Sequence, residues 1–221
     1  MEIAISQRVV FDKSSRETRD VLDQDWYKFA SSINIRLYPI PNKINNVEEY
    51  IYKLNLDGVI FSGGNNIGSQ NKILFKSKTL INDDVSLSRE KVEIKLLNWS
   101  IQNKKPVIGV CKGMQFINSY FDGHQSLTDS SKHVNKMHEV RFIDKKFIKI
   151  YGKSQIVNSY HNFGINRNNL SADLIPTSIS DNEIESFKHV KNKIYGIMWH
   201  PERNIPFNKS DIELFKNVFY K

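Results

Sequence analysis

Residues 106–117 read PVIGVCKGMQFI, and the expected architecture of the chain follows from them. The apolar run up to Val110 predicts a buried strand, and the apolar periodicity after it predicts a helix. Cys111 is the only cysteine among the 221 residues and stands at this junction. Glycines at 109 and 113 leave room for a sharp strand-to-helix turn that lifts the cysteine side chain clear of the sheet.

This position suits a nucleophile. A helix N-terminus under the sulfur, with Lys112 next to it, favours the thiolate, which is the reactive form of cysteine. Most lone cysteines are small buried hydrophobic residues. Two glycines flanking Cys111 after a β-branched run favour catalysis over that interpretation.

Short apolar runs on either side predict further strands, and amphipathic stretches between them predict helices. The predicted strands of the first half are at 3–6, 33–39, 58–61 and 106–110, with helices around 26–30 and at 47–54 and 88–104. This alternation is typical of an α/β fold with a mostly parallel sheet flanked by helices. Residues 62–87 are polar and poorly periodic, which predicts a long loop.

From residue 138 onward the pattern changes to short strands. They are predicted at 138–143, 147–151, 156–160, 174–178, 184–189 and 194–199, as hairpins that form a small antiparallel sheet and then return to the main sheet. The sequence Ser210-Asp211-Ile212-Glu213 fits a capping box and predicts the start of the last helix.

Composition limits the class of protein. A length of 221 residues with 39% hydrophobic residues predicts one domain over residues 1–221. One cysteine excludes an internal disulfide. The amino-terminal residues lack the pattern of a signal peptide and no apolar run reaches membrane-spanning length, so a cytoplasmic protein without a membrane partner is expected.

The formal net charge of +8 has two sources. Most lysines are scattered and not interleaved with aromatic residues, which predicts a solvated surface and no nucleic-acid partner. Arg8, Arg16 and Arg19 are different, since they follow the first predicted strand in a short segment. Ligands of open sheets bind at this carboxyl edge. Arg16 and Arg19 are therefore candidates for binding a phosphate group of a substrate.

A cysteine nucleophile needs a base, a group that orients the base, and donors for an oxyanion. His200 ends an apolar strand, and Glu202 follows it two residues later, beyond a proline that fixes the bend. Either residue alone would be read as a surface residue, but both together with Cys111 predict a catalytic triad. The backbone amides of Gly64 and Lys112 are predicted to donate to the oxyanion. Gly64 lies just after the predicted strand at 58–61, and Lys112 follows the nucleophile.

No metal or other cofactor is expected. The six histidines and one cysteine show no recognisable ligand spacing. His133 and His138 are five residues apart but are predicted to lie in a loop and at a strand start.

Residues 109–115, GVCKGMQ, and 199–202, WHPE, resemble the signatures of class I glutamine amidotransferases. Closer still is the resemblance to the free-standing, peptidase C26-like γ-glutamyl hydrolases. Ser62-Gly63-Gly64, residues 157–161 and residues 184–189 support that branch, so the resemblance spans nearly the whole chain. It implies a flavodoxin-like amidotransferase domain with Cys111, His200 and Glu202 as triad.

The same resemblance implies how the substrate is held. Gly63, Gln115, Ser159 and Tyr160 would bind the glutamyl group, whose charged ends need fixed polar partners. Asn65-Asn66 departs from the family pattern, in which an acidic residue or proline is common here. Substrate specificity in the loop at 65–86, and its closure over the site, are therefore left open.

Three functions are compatible with these residues. The first is hydrolysis of a small-molecule γ-glutamyl amide through a glutamyl thioester. The amino-terminal stretch resembles a branch encoded with bacterial surface-polysaccharide genes, which implies a nucleotide-linked substrate and release of cytidine diphosphoramidate. The second is a glutaminase subunit that passes ammonia to a separate synthetase; the chain contains no synthetase domain, so no obligatory partner is expected. The third is a catalytically silent ligand-binding protein.

Overall fold

Nine strands form one mixed sheet within residues 1–68 and 84–220, the part of the chain that the computed structural model describes. The strands are β1 (Glu2–Ser6), β2 (Arg8–Asp12), β3 (Glu17–Val21), β4 (Arg36–Ile40), β5 (Gly58–Phe61), β6 (Val107–Val110), β7 (Ser126–Leu127), β8 (Val134–Phe142), β9 (Ser154–Tyr160), β10 (Phe163–Gly164), β11 (Leu174–Ser180), β12 (Glu183–His189) and β13 (Ile194–Ile197). The helices are α1 (Asp25–Ser32), α2 (Val47–Tyr52), α3 (Leu87–Gln102), α4 (Lys112–Tyr120), α5 (Ser130–His133), α6 (Lys145–Tyr151) and α7 (Lys209–Phe219), with 3₁₀ turns at Arg167–Asn169 and Pro201–Arg203.

The order of strands in the large sheet is β4-β1-β5-β6-β13-β12-β11-β8-β9. The five strands from β4 to β13 are parallel, which confirms the predicted α/β sheet. The remaining four continue the same sheet in antiparallel pairs. The predicted hairpins therefore extend the main sheet, and β13 returns beside β6 as expected. The small antiparallel sheets are two separate pairs, β2–β3 and β7–β10.

Side chains on opposite faces of the parallel strands enter two different cores, because successive residues of a strand point to opposite sides. Ile3 and Ile5 pack with α1, α6 and α7, whereas Ala4 packs with α2, α3 and α4. The strands β5 and β6 are buried along their whole length. No described helix combines the length and apolarity needed to cross a membrane.

Three local predictions were wrong. The segment at 147–151 is helix α6, because the side chain of Asp144 accepts hydrogen bonds from the amides of Lys146 and Phe147 and caps the helix start. The arginine-bearing segment after β1 is the β2–β3 hairpin, not a short loop. Helix α7 is capped by Asn208. Most of the loop predicted at 62–87 falls on residues 69–83, outside the described part of the chain.

Candidate active site

Cys111 occupies a sharp turn between β6 and α4. Its backbone has φ 52° and ψ −108°, in the positive-φ region that non-glycine residues rarely adopt. A Cβ atom at Gly109 would lie 2.5 Å from the carbonyl of Gly113, and one at Gly113 would lie 2.1 Å from the carbonyl oxygen of Phe61. Both glycines are therefore required by close packing, and the turn has the form that the sequence predicts.

His200 and Glu202 lie in contact just beyond β13. The 3₁₀ turn that Pro201 begins brings Oε1 of Glu202 to 2.7 Å from Nδ1 of His200. Both side chains are buried. The amide of His200 donates to Oδ1 of Asn158 at 2.8 Å, and its carbonyl accepts from Nδ2 of Asn158 at 2.8 Å. Asn158 thus fixes the His200 backbone, a role that sequence reasoning missed although the residue lies within the 157–161 motif.

The imidazole of His200 lies between a carboxylate and a sulfur. Burial alone would lower the pKa of His200. The charges of Glu202 and Cys111 outweigh burial, and hydrogen bonds to both side chains add to their effect, so that the pKa rises to about 9. A histidine with this pKa is protonated at neutral pH and stabilises a neighbouring thiolate. The structure therefore places His200 in contact with both of the other residues predicted for the triad.

The turn of Ser62, Gly63 and Gly64 follows β5 and packs on the same imidazole. A Cβ atom at Gly63 would lie 2.6 Å from Cε1 of His200. Gly64 has φ +77°, which favours glycine. The small size of Gly63 and the positive φ of Gly64 explain why this turn contains a glycine pair.

Arg89 of α3 holds the carbonyls of this turn. Its guanidinium donates to the carbonyl oxygens of Ser62 at 2.5 Å, Gly63 at 3.0 Å, and Gly64. In a planar trans peptide the N–H points opposite to the C=O. The amide of Gly64 shares a peptide plane with the Gly63 carbonyl, and it therefore points away from Arg89.

A buried ion-pair network supports Arg89. Its Nε lies 2.8 Å from Oε1 of Glu93, and the other carboxylate oxygen of Glu93 binds Nζ of Lys112. All three side chains are at most 2% exposed. Burial alone would raise the pKa of Glu93, but the two cations outweigh it and lower that pKa. The Lys112 side chain is thus paired with Glu93. Its backbone amide is a separate donor: it lies in the first turn of α4, where amides have no acceptor within the helix.

Cys111 and His200 open onto a cavity of about 420 Å³. Gln115 lines it, and its Nε2 donates to the carbonyl of Phe163 at 2.7 Å. Tyr160 also lines it, with its ring edge-on to His200 at a centroid distance of 5.6 Å. Ser159 is buried and its hydroxyl donates to the carbonyl of His133 at 2.7 Å, so its side chain is turned away.

Arg16 and Arg19, the predicted phosphate ligands, lie outside the cavities next to Cys111. Arg16 is exposed at the turn of the β2–β3 hairpin, with φ 57°. Arg19 is half exposed and pairs with Glu17. Neither lines the 420 Å³ cavity or the adjoining one of about 270 Å³, which contains Gly63 and Glu202.

Two other arginines, Arg8 and Arg203, line both cavities. The guanidinium of Arg203 stacks 4.5 Å from the Tyr160 ring centroid, and Arg8 binds Asp84 at 2.7 Å. Sequence analysis had placed Arg8 in the basic segment but had not selected either residue. Lys112 also lines the 420 Å³ cavity, but its ammonium group is paired with Glu93. Among the described residues, Arg8 and Arg203 are therefore the cations there that can contact a substrate.

A second group of titratable side chains lies next to Ser159. Two sets share His133, one with His161 and Glu183 and one with His138 and Glu185, and within each set the potential ligand atoms lie within 4.8 Å of one another. A cavity of about 580 Å³, larger than the one at Cys111, is lined by His133 and His138. Chain spacing did not reveal this cluster, because its members come from three separate segments.

Comparisons with known proteins identify the family of the chain. The model of the peptidase C26 family matches residues 3–202. A γ-glutamyl-CDP-amidate hydrolase of Campylobacter jejuni subsp. jejuni serotype O:2 is 34% identical over 221 residues, covering 99% of this chain and 98% of the relative. Protein NtpR of Enterococcus hirae is 28% identical over 177 residues, covering 72% of each chain.

Solved structures show the same fold at low sequence identity. A glutamine amidotransferase from Thermotoga maritima superposes with a TM-score of 0.63 at 16% identity, covering 98% of this chain and 82% of that one. The glutaminase domain of Trypanosoma brucei CTPS with bound acivicin gives 0.64 at 16% identity, covering 100% and 94%. The fold is that of class I glutamine amidotransferases, and the family match over residues 3–202 together with the full-length relative shows that the chain belongs to the peptidase C26 family.

Proposed function

We propose that the protein hydrolyses the C–N bond of a γ-glutamyl amide through a glutamyl thioester on Cys111. The observation that carries this proposal is the buried contact of His200 with both Cys111 and Glu202, in which the imidazole pKa is raised to about 9. Membership of the peptidase C26 family and the 34% identical γ-glutamyl-CDP-amidate hydrolase support a hydrolase acting on C–N bonds.

In the first half of the reaction the Cys111 thiolate attacks the γ-carbonyl carbon, and the carbonyl electron pair moves to oxygen. The amides of Gly64 and Lys112 would stabilise this oxyanion. The Gly64 amide points away from Arg89 and is free to donate, and the Lys112 amide lies at the positive end of the α4 dipole. His200 then transfers its proton to the leaving nitrogen as the C–N bond breaks. The products of this half are the free amine and a glutamyl thioester.

In the second half a water molecule attacks the thioester. The neutral imidazole of His200 takes a proton from the water, the C–S bond breaks, and glutamate leaves while Cys111 returns to the thiolate. Glu202 keeps the ring of His200 in one orientation throughout and stabilises its charged form. Both halves use the same three side chains and balance without a further reactant besides water.

Side chains of the 420 Å³ cavity would bind the two ends of the substrate. Gln115 and Tyr160 line the cavity and are proposed to contact the glutamyl group, with Gly63 forming part of the adjoining wall. Ser159 would act through its backbone, because its hydroxyl is bound to His133. This assigns the glutamyl group to the side of α4.

The proposed leaving group carries a diphosphate. The 34% identical relative is named a γ-glutamyl-CDP-amidate hydrolase, which supports release of cytidine diphosphoramidate. Use of this product in capsular polysaccharide modification is part of the proposal and rests on the resemblance of the amino-terminal stretch. Arg8 and Arg203 border both cavities and offer guanidinium groups for bidentate phosphate contacts. Arg16 and Arg19, the phosphate ligands predicted from the sequence, line neither cavity, so this proposal gives the role to Arg8 and Arg203.

The test compares glutamate release from γ-glutamyl cytidine diphosphoramidate and from glutamine at matched concentrations. The purified chain alone is expected to turn over the nucleotide-linked substrate far faster, and Cys111→Ala serves as the blank. The alternative is a glutaminase subunit that delivers ammonia to a separate synthetase. Inactivity with both substrates, followed by glutamine-dependent activity on adding a cell extract, would support the alternative and contradict the proposal.

A further inference from the structure

The histidine cluster consists of His133, His138, His161, Glu183 and Glu185. These residues come from three stretches of chain: α5 with β8, the residue after β9, and β12. His133 ends α5, His138 lies in β8, His161 follows β9, and Glu183 and Glu185 lie in β12. The ring of His133 is 4.9 Å from that of His138 and 4.8 Å from that of His161, measured between centroids. Nε2 of His133 lies 3.7 Å from Oε2 of Glu183. Two carboxylates and three imidazoles thus share one small volume.

The polar atoms of this cluster are unsatisfied. Each of its five side chains has a buried nitrogen or oxygen with no hydrogen-bond partner in residues 1–68 and 84–220, namely Nδ1 of His133, Nε2 of His138, Nε2 of His161, Oε2 of Glu183 and Oε1 of Glu185. Buried polar atoms are normally paired, because leaving water without a new partner is unfavourable. Five such atoms in one place indicate a missing polar or charged ligand.

His161 is oriented as a ligand. Its Nδ1 lies 3.0 Å from the carbonyl oxygen of Phe163. A carbonyl only accepts, so Nδ1 carries the hydrogen and Nε2 carries the free electron pair. The residue is 4% exposed, and Nε2 is its unpartnered atom. Metal-binding histidines are commonly held this way, with the second nitrogen donating to a backbone carbonyl.

We propose that His133, His161 and Glu183 bind one divalent transition-metal ion of the zinc class. Two imidazoles and a carboxylate are ligands that such ions prefer over magnesium or calcium. Tetrahedral zinc with bonds of about 2.1 Å separates its ligand atoms by about 3.4 Å. The potential ligand atoms of the set lie within 4.8 Å of one another, so only small side-chain movements are required. His133 can offer either ring nitrogen: Nε2 lies 3.7 Å from Oε2 of Glu183, and Nδ1 is the unpartnered atom.

The second set is the weaker candidate. His138 and Glu185 already face each other at 3.4 Å between Nε2 and Oε2, so these two atoms are turned toward each other and not toward a shared ion. They would instead surround the ion and bind its water. Three protein ligands leave a fourth position for this water. The 580 Å³ cavity beside His133 and His138 supplies a route for ion entry.

The ion would stabilise one wall of the active site. The carbonyl of Phe163 accepts hydrogen bonds from both His161 and Gln115. Fixing His161 therefore fixes the turn between β9 and β10, which lines the cavity at Cys111. This role is structural, and no step of the proposed hydrolysis uses the ion.

Zinc binding is measured by calorimetry on chelator-treated protein in a Cys111→Ala background, which removes the thiol as a competing ligand. We expect one equivalent of zinc with a micromolar or tighter Kd. His161→Ala, His161→Gln and Glu183→Gln are each expected to weaken binding at least tenfold, with apo folding checked by circular dichroism. His124→Ala, outside the cluster, is the matched control and should bind like the parent. Cobalt(II) should give the intense visible bands of a tetrahedral site.

Several results would overturn the site. Absence of zinc binding would do so, as would binding that all three variants leave unchanged. A loss with His138→Ala larger than with His161→Ala would move the ion to the second set and contradict the assignment. Since none of these readouts measures hydrolysis, they are independent of the proposed function.

Discussion

Arg89 makes the sharpest test of how the active site is held. Its buried guanidinium binds three consecutive carbonyls, from Ser62 to Gly64, and the carboxylate of Glu93. Replacing it with methionine keeps much of the side-chain volume but removes every one of these donors. The three carbonyls would lose their buried partner, and the turn could rotate its peptide planes.

The expected costs follow from burial. Breaking a fully buried ion pair by removing one partner costs about 3–5 kcal/mol in the free energy of unfolding. For a chain of this length each kcal/mol shifts Tm by roughly 2–4 °C, so a decrease of about 10 °C is expected. If the Gly64 amide leaves the oxyanion, kcat should fall by about 10²–10³. KM should change much less, because Gln115 and the arginines of the cavity are untouched.

The assay is glutamate release, measured as kcat and KM well below the Tm of each variant. Lys95→Met is the matched control, since Lys95 lies on the same helix and forms an exposed pair with Glu48, which contributes only about 0–1 kcal/mol. Arg89→Lys should recover part of the stability and little of kcat, because an ammonium group cannot bind three carbonyls in a fork. A kcat within about threefold of wild type in Arg89→Met would refute the positioning role.

Three further predictions concern the same cavity. Cys111→Ala should lower kcat about 10⁴-fold or more with Tm nearly unchanged, and substantial turnover would contradict the nucleophile. Because His200 has its pKa raised to about 9, its stabilising contribution is full below about pH 6.5 and is lost as pH rises to about 9. The alkaline limb of kcat/KM should fall near pH 9 and move toward neutral pH in Glu202→Gln; an unmoved limb would exclude that carboxylate. Arg8→Glu should raise KM for the diphosphate substrate at least tenfold more than Arg19→Glu does, and equal effects would return the phosphate site to the hairpin.

Local sequence signals were sufficient for the parallel half of the fold. β5 and β6 are short runs of apolar residues that are buried on both faces, as is typical of parallel strands covered by helices on each side. Gly109 and Gly113 flank Cys111 at distances that leave no room for a Cβ atom. The close pair of His200 and Glu202 was predictable for a similar reason, since Pro201 restricts the few conformations open to a two-residue spacing.

Predictions failed where a side chain competed with periodicity. Residues 147–151, FIKIY, alternate as a strand does, yet they form α6 because Asp144 caps the first turn and Phe147 and Tyr151 reach the core one helical turn apart. Ser210 fits the first position of a capping box in sequence, but it lies inside α7 and its hydroxyl donates to the carbonyl of Ile150. Asp211 beside it is buried and accepts from the indole of Trp199 and the hydroxyl of Tyr151. Neither long-range partner can be read from the local sequence.

The buried charges were missed for a related reason. Arg89 and Glu93 lie four residues apart on a helix, a spacing typical of a solvated ion pair. Only the approach of the Ser62 turn makes this pair part of the active site. The histidines at 133, 138 and 161 likewise have no metal-site spacing, because strand pairing between β8 and β9 brings them together.

The curvature of the sheet explains why the antiparallel half contributes to the site at all. β9 is four strands away from β13 in the sheet order, which in a flat sheet would be about 19 Å. Yet Asn158 of β9 binds the backbone of His200 at 2.8 Å. His200 is three residues beyond the end of β13, and three extended residues span only about 10 Å. The sheet must therefore coil strongly, and the register shifts in β8 and β11 lie at positions where bulges bend strands. Because Asn158 fixes His200 and Tyr160 covers it, the edge strand β9 completes a site whose nucleophile comes from the centre of the sheet.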